Sequence, residues 1–280
     1  MVADIRRNKV AAYIFLSVLG IVMVYPLLWL LGSSFKTNHE IFTSLGIIPK
    51  EVITDGFVKG WQGPGQFTYG RFFYNTFLMV LPTVAGTVIS SALVAYGFAR
   101  FRFPFKRILF VLMISQLMLP NAVIIIPRYM LFRSLGWLNT FLPFIIPAMF
   151  ATYSFFIFMM IQFVRGIPKE LDESAYIDGC NSFTIFSRIM VPLLKPALFS
   201  AGIFQFIWRW NDFLNPLIYI NSVRNYPLSL ALRMSMDITE AVNWNQLMAM
   251  SLLTMIPPIL IFFFAQRYFV EGISTTGLKG

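Results

Sequence analysis

The chain has 280 residues, of which 58% are hydrophobic and only 12% are charged, about half the charged fraction of a typical soluble domain. Because 31 phenylalanines, 15 methionines and 6 tryptophans cannot all be buried inside one compact body of this length, the composition excludes an ordinary water-soluble globular protein and indicates membrane lipid as the surroundings. The net charge of +10 comes from lysines and arginines in short clusters between apolar runs, so no continuous basic face supports a nucleic-acid partner.

Apolar runs long enough to cross a bilayer occur along the whole chain. About 20 apolar helical residues span the roughly 30 Å hydrocarbon core, and a helix satisfies its own backbone hydrogen bonds in lipid. The sequence therefore predicts an all-α membrane protein, with six transmembrane helices in a single domain covering residues 1–280. The predicted spans are residues 10–31, 73–98, 108–127, 140–164, 198–220 and 246–266.

The first span has the basic flank of a signal peptide, because Arg6, Arg7 and Lys9 precede it. Its length, and the lack of a small-residue cleavage site after it, predict a retained membrane anchor instead. The segment that follows, residues 33–71, is rich in glycine and proline. This composition predicts a short outer cap built from turns rather than a packed soluble domain.

The distribution of lysine and arginine predicts that both termini face the cytoplasm. An even number of spans places both termini on one side, and the side richer in positive charge is the cytoplasmic one. With the termini inside, the inner segments hold 13 lysines and arginines and the outer segments hold 8. The short inner loop 99–107 carries four of these charges.

The inner loop at residues 165–197 has the pattern of a helix, a turn and a second helix. Pro168 suits a first helical turn, and the three acids that follow it favour the positive end of the helix dipole. Gly179 is expected to end this helix and Ser182 to cap the next one. The second helix has apolar residues at spacings of three and four, namely Phe183, Phe186, Ile189 and Met190. By geometry alone, the pair is equally well an interfacial connector between two spans.

The same loop carries a family pattern. Its residues are Glu173-Ser174-Ala175, Asp178-Gly179, Phe186, Ile189, Pro192 and Pro196. At these spacings they closely resemble the EAA loop of the permease subunits of binding-protein-dependent ABC importers. The departures are Ser174 and Cys180 in place of alanine and Val191 in place of leucine, all small or apolar exchanges. The single cysteine is accordingly interpreted as a packing residue without a redox role.

Weaker features elsewhere resemble the carbohydrate branch of this family, the maltose-permease type. They are Ser33-Ser34-Phe35-Lys36, Asn75-Thr76, Tyr96 to Arg100, Trp210-Asn211-Asp212-Phe213 with Pro216-Leu217, and the C-terminal Gly277 to Gly280. The resemblance implies a type I importer permease (MetI-like) fold in the plasma (inner) membrane of a prokaryote. It also implies three partners: a homologous but different permease chain, a cytoplasmic ATPase dimer that binds ATP and magnesium, and an extracellular or periplasmic sugar-binding protein.

The resemblance further implies that the 165–197 loop docks on the ATPase and transmits its closure to the membrane helices. The implied coupling residues are Glu173, Ser174, Ala175, Asp178 and Gly179. Glu173 is the best candidate to pair with a basic residue of the ATPase, and Gly179 would permit the tight turn that presents the helix. The apolar residues Phe183, Phe186 and Ile189 are expected to brace the loop against the membrane helices.

Two charged residues, Arg209 and Asp212, interrupt the fifth predicted span. Charges at this depth are costly and should face the protein interior, a partner or water, and at positions i and i+3 these two can pair. On a continuous helix, one face would present an aromatic ring and polar groups suited to sugar hydroxyls. The candidate pathway residues are therefore Trp208, Arg209, Asn211, Asp212 and Asn215. An equally open alternative is that this stripe seals the interface with the second permease.

Other functions find less support in the sequence. An ion-coupled secondary transporter usually carries buried carboxylates in several helices, whereas only the fifth span holds charges. A permease of the same machinery for peptides, amino acids or phosphate esters stays open, since the loop pattern does not distinguish these solutes. No nucleophile, metal cluster or cofactor site is predicted, so the chain is not expected to be an enzyme or to bind a metal. The glycines near the C-terminus lack the lysine of a phosphate-binding loop.

Overall fold

The computed structural model describes residues 2–63, 65–236 and 242–276, and these are mainly helical, with no β-strand among them. Short helical turns of other types follow α5, α10 and α13. The α-helices, in chain order, are α1 Val2–Ser33, α2 Asn38–Thr43, α3 Asp55–Gln62, α4 Tyr69–Arg100, α5 Lys106–Ser115, α6 Asn121–Ser134, α7 Leu142–Met149, α8 Ser154–Gly166, α9 Glu170–Ile177, α10 Ser182–Ile185, α11 Val191–Leu193, α12 Lys195–Trp210, α13 Leu214–Tyr219, α14 Leu228–Met234 and α15 Trp244–Thr276.

Four helical segments are long and apolar enough to cross a membrane. They are Ala12–Ser33, Tyr69–Arg100, Leu142–Gly166 and Trp244–Phe264. Two further pairs of helices qualify together but are bent, by 107° between Lys106–Met118 and Asn121–Ser134 and by 75° between Ser182–Leu193 and Lys195–Trp210. The described residues therefore contain four to six candidate spans.

The third and fifth predicted spans differ from straight helices. Pro120, with an extended backbone, separates the 3₁₀ turn after α5 from α6, because proline disfavours the helical conformation in the residue before it. In the fifth span, α12 ends at Trp210 and a short helix resumes at Leu214. Sequence hydrophobicity identifies these runs but does not reveal the breaks within them.

The chain divides into two compact units, and the first consists of the described parts of Met1–Arg71 and Ala231–Ile256. In its α1 helix, no residue of the most apolar stretch is buried against other residues of the chain. The segment after α1 is more ordered than a string of turns, because it contains α2, α3 and a fully buried Lys36. The Lys36 ammonium donates hydrogen bonds to the carbonyl oxygens of Ser44 and Gly46, and the Asn245 amide donates to the Lys36 carbonyl at 2.5 Å.

The second unit comprises Phe72–Leu230 and the described part of Pro257–Gly280. Several polar side chains inside α4 form hydrogen bonds within the unit, since Thr83 and Thr87 donate to carbonyls one turn earlier. Ser90 donates to the Ala148 carbonyl at 2.7 Å, and the Gln205 amide donates to the Thr87 hydroxyl at 3.1 Å. These bonds join α4 to α7 and α12, which matters because an unsatisfied buried polar group is costly in an apolar environment.

The core of the second unit has two clusters. One contains Ala95, Phe156, Ile157, Met160, Ile161, Ala197 and Ala201, and it joins α4, α8 and α12. The other contains Tyr96, Val164, Ala175, Ile185, Met190 and Leu194, and it joins the ends of α4 and α8 to the 165–197 loop. The loop is therefore part of the packed core rather than a detached linker.

Candidate functional site

The predicted helix of the 165–197 loop is present as α9, with Glu170, Asp172 and Glu173 in its first turn. Pro168 lies outside this turn, because the helix begins at Glu170 and Lys169 is its cap. The first helical hydrogen bond runs from the Asp172 amide to the Lys169 carbonyl at 2.9 Å. The acids still lie at the positive end of the helix dipole, where negative charge is stabilising.

Gly179 ends α9 in the left-handed conformation, with φ of +78°. The Cys180 amide donates to the Ala175 carbonyl at 2.9 Å and the Gly179 amide to the Tyr176 carbonyl at 3.0 Å. This pair of bonds is the Schellman arrangement, which favours glycine at the left-handed position. A Cβ at Gly179 would meet no atom within 4 Å, so the backbone angle alone disfavours a larger residue there.

The second helix of the loop differs from the prediction in its cap and in one contact. Asn181, not Ser182, caps α10, and its side-chain oxygen accepts a hydrogen bond from the Thr184 amide at 2.8 Å. Phe186 contacts the Tyr96 ring at 5.3 Å, as expected of a bracing residue, and Ile189 packs against the same core cluster. Phe183 is 73% exposed and does not brace the loop.

The bracing contact that the sequence did not reveal is an ion pair between Arg100 and Asp172. The Arg100 Nε atom lies 2.6 Å from the Asp172 carboxylate, and both side chains are almost fully buried. A second guanidinium nitrogen of Arg100 donates to the Ile167 carbonyl at 2.8 Å. The end of α4 therefore fixes both α9 and the chain that leads into it.

Burial sets the pKa of the Asp172 carboxyl above its ordinary value. Arg100 opposes this rise and the neighbouring Glu173 adds to it. The net direction shows that the cost of removing this carboxylate from water exceeds the gain from its partner. The pair is therefore a positioning contact rather than a large source of stability.

The predicted coupling residues divide between two faces of α9. Ala175 is buried in the core, whereas Glu173, Ser174, Asp178 and Gly179 are exposed. Other described residues add apolar surface on the exposed side, among them Ile177, which is 86% exposed. The exposed face combines acidic and apolar groups around a rigid turn, as a docking surface for another protein would.

A cavity of about 370 Å³ lies elsewhere in the second unit. It is bounded by residues of α6, α7, α8, α12 and α13 and of the segments beside them. Its lining residues are Gln116, Leu117, Ile124, Arg128, Leu131, Phe132, Pro143, Phe144, Pro147, Thr152, Tyr153, Ser154, Phe155, Phe156, Trp208, Arg209, Asn215 and Tyr219. Aromatic and aliphatic side chains over most of the wall, with a few polar groups, are typical of a small-molecule site.

The spacing of Arg209 and Asp212 correctly predicted an ion pair, which measures 2.7 Å. Arg209 also donates to the Tyr153 hydroxyl at 2.9 Å, and its guanidinium lies 5.0 Å from the centre of that ring. The Asn215 amide donates to both oxygens of Asp212 at 2.9 Å. These bonds span the break between α12 and α13 and hold the Arg209 and Asn215 side chains at the cavity.

The five predicted pathway residues do not share one helical face. Trp208, Arg209 and Asn215 line the cavity, and Asp212 lies behind them as the partner of two of these side chains. Asn211 is exposed, and its amide donates to the Ile207 carbonyl at 2.9 Å outside the cavity lining. Its role in the pathway stays a prediction, and the residue lies directly after α12, which ends at Trp210.

Several polar residues of the cavity were not among the predicted pathway residues. Gln116, Arg128 and Tyr153 come from other segments of the chain, and Tyr219 ends the helix that contains Asn215. Tyr219 is held in place through its backbone, because its carbonyl accepts a hydrogen bond from the Asn139 amide at 2.7 Å. The sequence offered one usable signal, the positive charge of Arg128 directly after an apolar run.

No group of three or more histidine, cysteine, aspartate or glutamate residues in the described ranges could hold a metal ion.

Comparison with known proteins agrees with these features. Residues 86–275 match the family model described as binding-protein-dependent transport system inner membrane component. A probable ABC transporter permease protein, YurM of Bacillus subtilis, is 34% identical, with 98% of this chain and 89% of the relative covered. The arabinooligosaccharides transport system permease protein AraQ of the same organism is 32% identical, with 97% and 96% covered.

A solved structure shows the same fold. It is a chain of a bacterial ABC transporter involved in the import of the acidic polysaccharide alginate, with a TM-score of 0.83, 20% identity and coverage of 94% of this chain and 97% of the other. The MetI-like fold expected from the loop pattern is thereby confirmed. Together, the family match and the full-length relatives show that this chain is a multi-pass membrane protein and a member of the binding-protein-dependent transport system inner membrane component family.

Proposed function

We propose that this chain is the membrane-spanning permease subunit of an ATP-driven sugar importer, for which an oligosaccharide is the expected solute. It forms half of the translocation pathway, and a homologous but different permease chain forms the other half. The full-length relative that carries arabinooligosaccharides in its name supports the solute class. The excess of lysine and arginine in the inner segments supports a prokaryotic plasma membrane location with both termini in the cytoplasm.

The observation that carries this proposal is the connection between the α9 loop and the cavity. The core cluster around Ala175 packs on Val164 near the end of α8 and on Leu194 directly before α12. The opposite ends of the same helices supply Ser154 and Arg209 to the cavity. With 13 and 16 residues, these helices are about 20 and 24 Å long. A force on the loop is thus transmitted to the cavity by two packed helices.

The chemistry of the exposed face of α9 supports an ATPase partner. An ATPase dimer in the cytoplasm would bind Glu173 and the surrounding apolar groups, and it would also bind the ATP and the magnesium. Glu173 is exposed and has no role in the core of the second unit. It is therefore available to pair with a basic residue of the ATPase. An extracellular or periplasmic binding protein would deliver the sugar on the other side.

The test is sugar uptake and ATP hydrolysis by the reconstituted importer with Glu173→Ala or Gly179→Leu. Glu173→Ala removes the charge that pairs with the ATPase, and Gly179→Leu strains the turn that presents α9. We expect both variants to lose coupled uptake while the external protein still captures sugar. Glu51→Ala, an exposed acid of the first unit, is the control and should leave uptake unchanged. Normal sugar-stimulated hydrolysis and uptake in both loop variants would contradict the proposal.

A further inference from the structure

The cavity carries more positive than negative charge. Arg128 and Arg209 both line it, and none of the described lining residues is acidic. The nearest described carboxylate that bonds to a lining side chain is Asp212, which pairs with Arg209 at 2.7 Å and accepts the amide of Asn215 on both oxygens. The two guanidinium groups and one carboxylate leave a net charge of +1 at the cavity.

The uncompensated charge belongs to Arg128. No ion pair among the described residues includes it, and it shares the cavity lining with the uncharged side chain of Tyr219. Arg128 lies in α6, the second member of a bent pair that qualifies as a membrane-crossing segment. A guanidinium that faces a largely apolar cavity without a carboxylate partner favours an anion there. An anion that arrives with the solute would supply this partner.

The other walls of the cavity suit a sugar ring. Trp208 is 48% exposed and lies 5.1 Å from Phe155 and 5.3 Å from Phe156, measured between ring centres. An indole face held in this way covers the apolar face of a sugar. Gln116 adds an amide that can exchange hydrogen bonds with hydroxyl groups, whereas the Asn215 amide is already bonded to Asp212. A lipid headgroup would pair with an arginine but has no need of this aromatic and amide surface.

We propose that the cavity selects sugars that carry an acidic group, and that Arg128 binds this group while Trp208 covers the ring. The proposal rests on the proposed function, because it assigns the solute class to the same pathway. A guanidinium binds a carboxylate or a phosphate through two parallel hydrogen bonds. The shared chemistry is therefore a planar or tetrahedral oxyanion on a sugar.

The test measures binding to the purified full chain in lipid nanodiscs with two matched probes. A digalacturonate and a neutral digalactose differ by a carboxylate in place of a hydroxymethyl group on each ring. We expect the acidic probe to bind about tenfold or more tightly than the neutral one, the gain of one charge-assisted contact. Arg128→Gln should abolish this difference. Arg133→Gln, on the exposed surface of the same helix and outside the cavity, should retain it.

Three results would overturn the proposal: equal binding of the two probes, no measurable binding of either, or a preference that survives Arg128→Gln. Repeating the measurement in nanodiscs of zwitterionic phosphatidylcholine and of anionic phosphatidylglycerol identifies lipid as a competing source of the anion. If Arg128→Gln changes only the lipid retained and not the sugar preference, Arg128 is a lipid contact and the proposal fails.

This test is separate from that of the proposed function. Coupling of ATP hydrolysis to uptake depends on Glu173 and not on the charge of the solute. Loss of coupling in Glu173→Ala, together with no preference for the acidic probe, would overturn only the solute class. Unchanged coupling in the loop variants would overturn the importer mechanism itself.

Discussion

Among the described residues of the second unit, two largely buried ion pairs have similar lengths but differ in the hydrogen bonds to their carboxylates. Arg100 and Asp172 meet at 2.6 Å and Arg209 and Asp212 at 2.7 Å. Neither oxygen of Asp172 accepts a hydrogen bond of good geometry, whereas both oxygens of Asp212 accept hydrogen bonds from Asn215. The Asp172 pair joins two distant segments, and the Asp212 pair spans one break in a single stretch of chain.

This difference shows that distance alone does not define what an ion pair contributes. A buried carboxylate with a full set of donors keeps its charge at low cost, and it can shape a binding site. A buried carboxylate that is paired with only one guanidinium destabilises the fold when that partner is lost. The Asp172 pair therefore makes the position of the loop sensitive to a single residue, Arg100.

The largest effect is expected for Arg100→Ala. This change leaves the Asp172 carboxylate buried without its counter-charge and removes the donor to the Ile167 carbonyl. Breaking a buried pair on one side typically costs about 3–5 kcal/mol. Thermal unfolding in detergent and protease cleavage within residues 165–180 would measure the loss. Arg102→Ala, an exposed arginine two residues away, is the control, and equal behaviour of the two variants would refute the bracing role.

A smaller effect is expected for Arg209→Ala. Asp212 loses one charge-assisted bond but keeps those from Asn215, so the cost should be about 1.5–3 kcal/mol. The same unfolding measurement applies, and the loop at 165–180 should keep the protease resistance of the parent chain. A loss of stability as large as that of Arg100→Ala would show that the two pairs are equivalent, contrary to the comparison.

The smallest effect is a change in the pH dependence of stability. Because burial raises the pKa of Asp172, the folded state binds this proton more tightly than the unfolded state. Stability from this group is therefore greatest at low pH and falls as the pH rises from the ordinary value through the raised one. Asp172→Asn should remove this decline. The free energy of unfolding of the variant should therefore rise relative to that of the parent chain as the pH increases. A parallel pH dependence of the free energy of unfolding in the two proteins would contradict the assignment.

Local patterns in the sequence were enough to predict much of the secondary structure. Apolar runs identified the candidate spans, and Gly179 was correctly placed at the end of α9 because a left-handed turn selects glycine. The pairing of Arg209 with Asp212 followed from a spacing of three residues on a helix. Each of these predictions depends on neighbours within one or two helical turns.

Predictions that needed to know where a helix stops were less reliable. Helical spacing placed Asn211 with the other pathway residues and Phe183 with the bracing residues, whereas both side chains are exposed and Asn211 lies outside the cavity lining. The sequence contains no strong stop signal between Trp210 and Leu214, since neither glycine nor proline lies there.

The sequence by itself determined that the chain is helical, lies in lipid and carries a loop with the family pattern. These properties follow from the composition and from the short-range spacing of apolar and polar residues. Only the tertiary structure decided that Arg100 meets Asp172 and that Arg128 shares a cavity with Arg209. Such contacts join residues far apart in the chain, and they depend on how several helices bend and pack together.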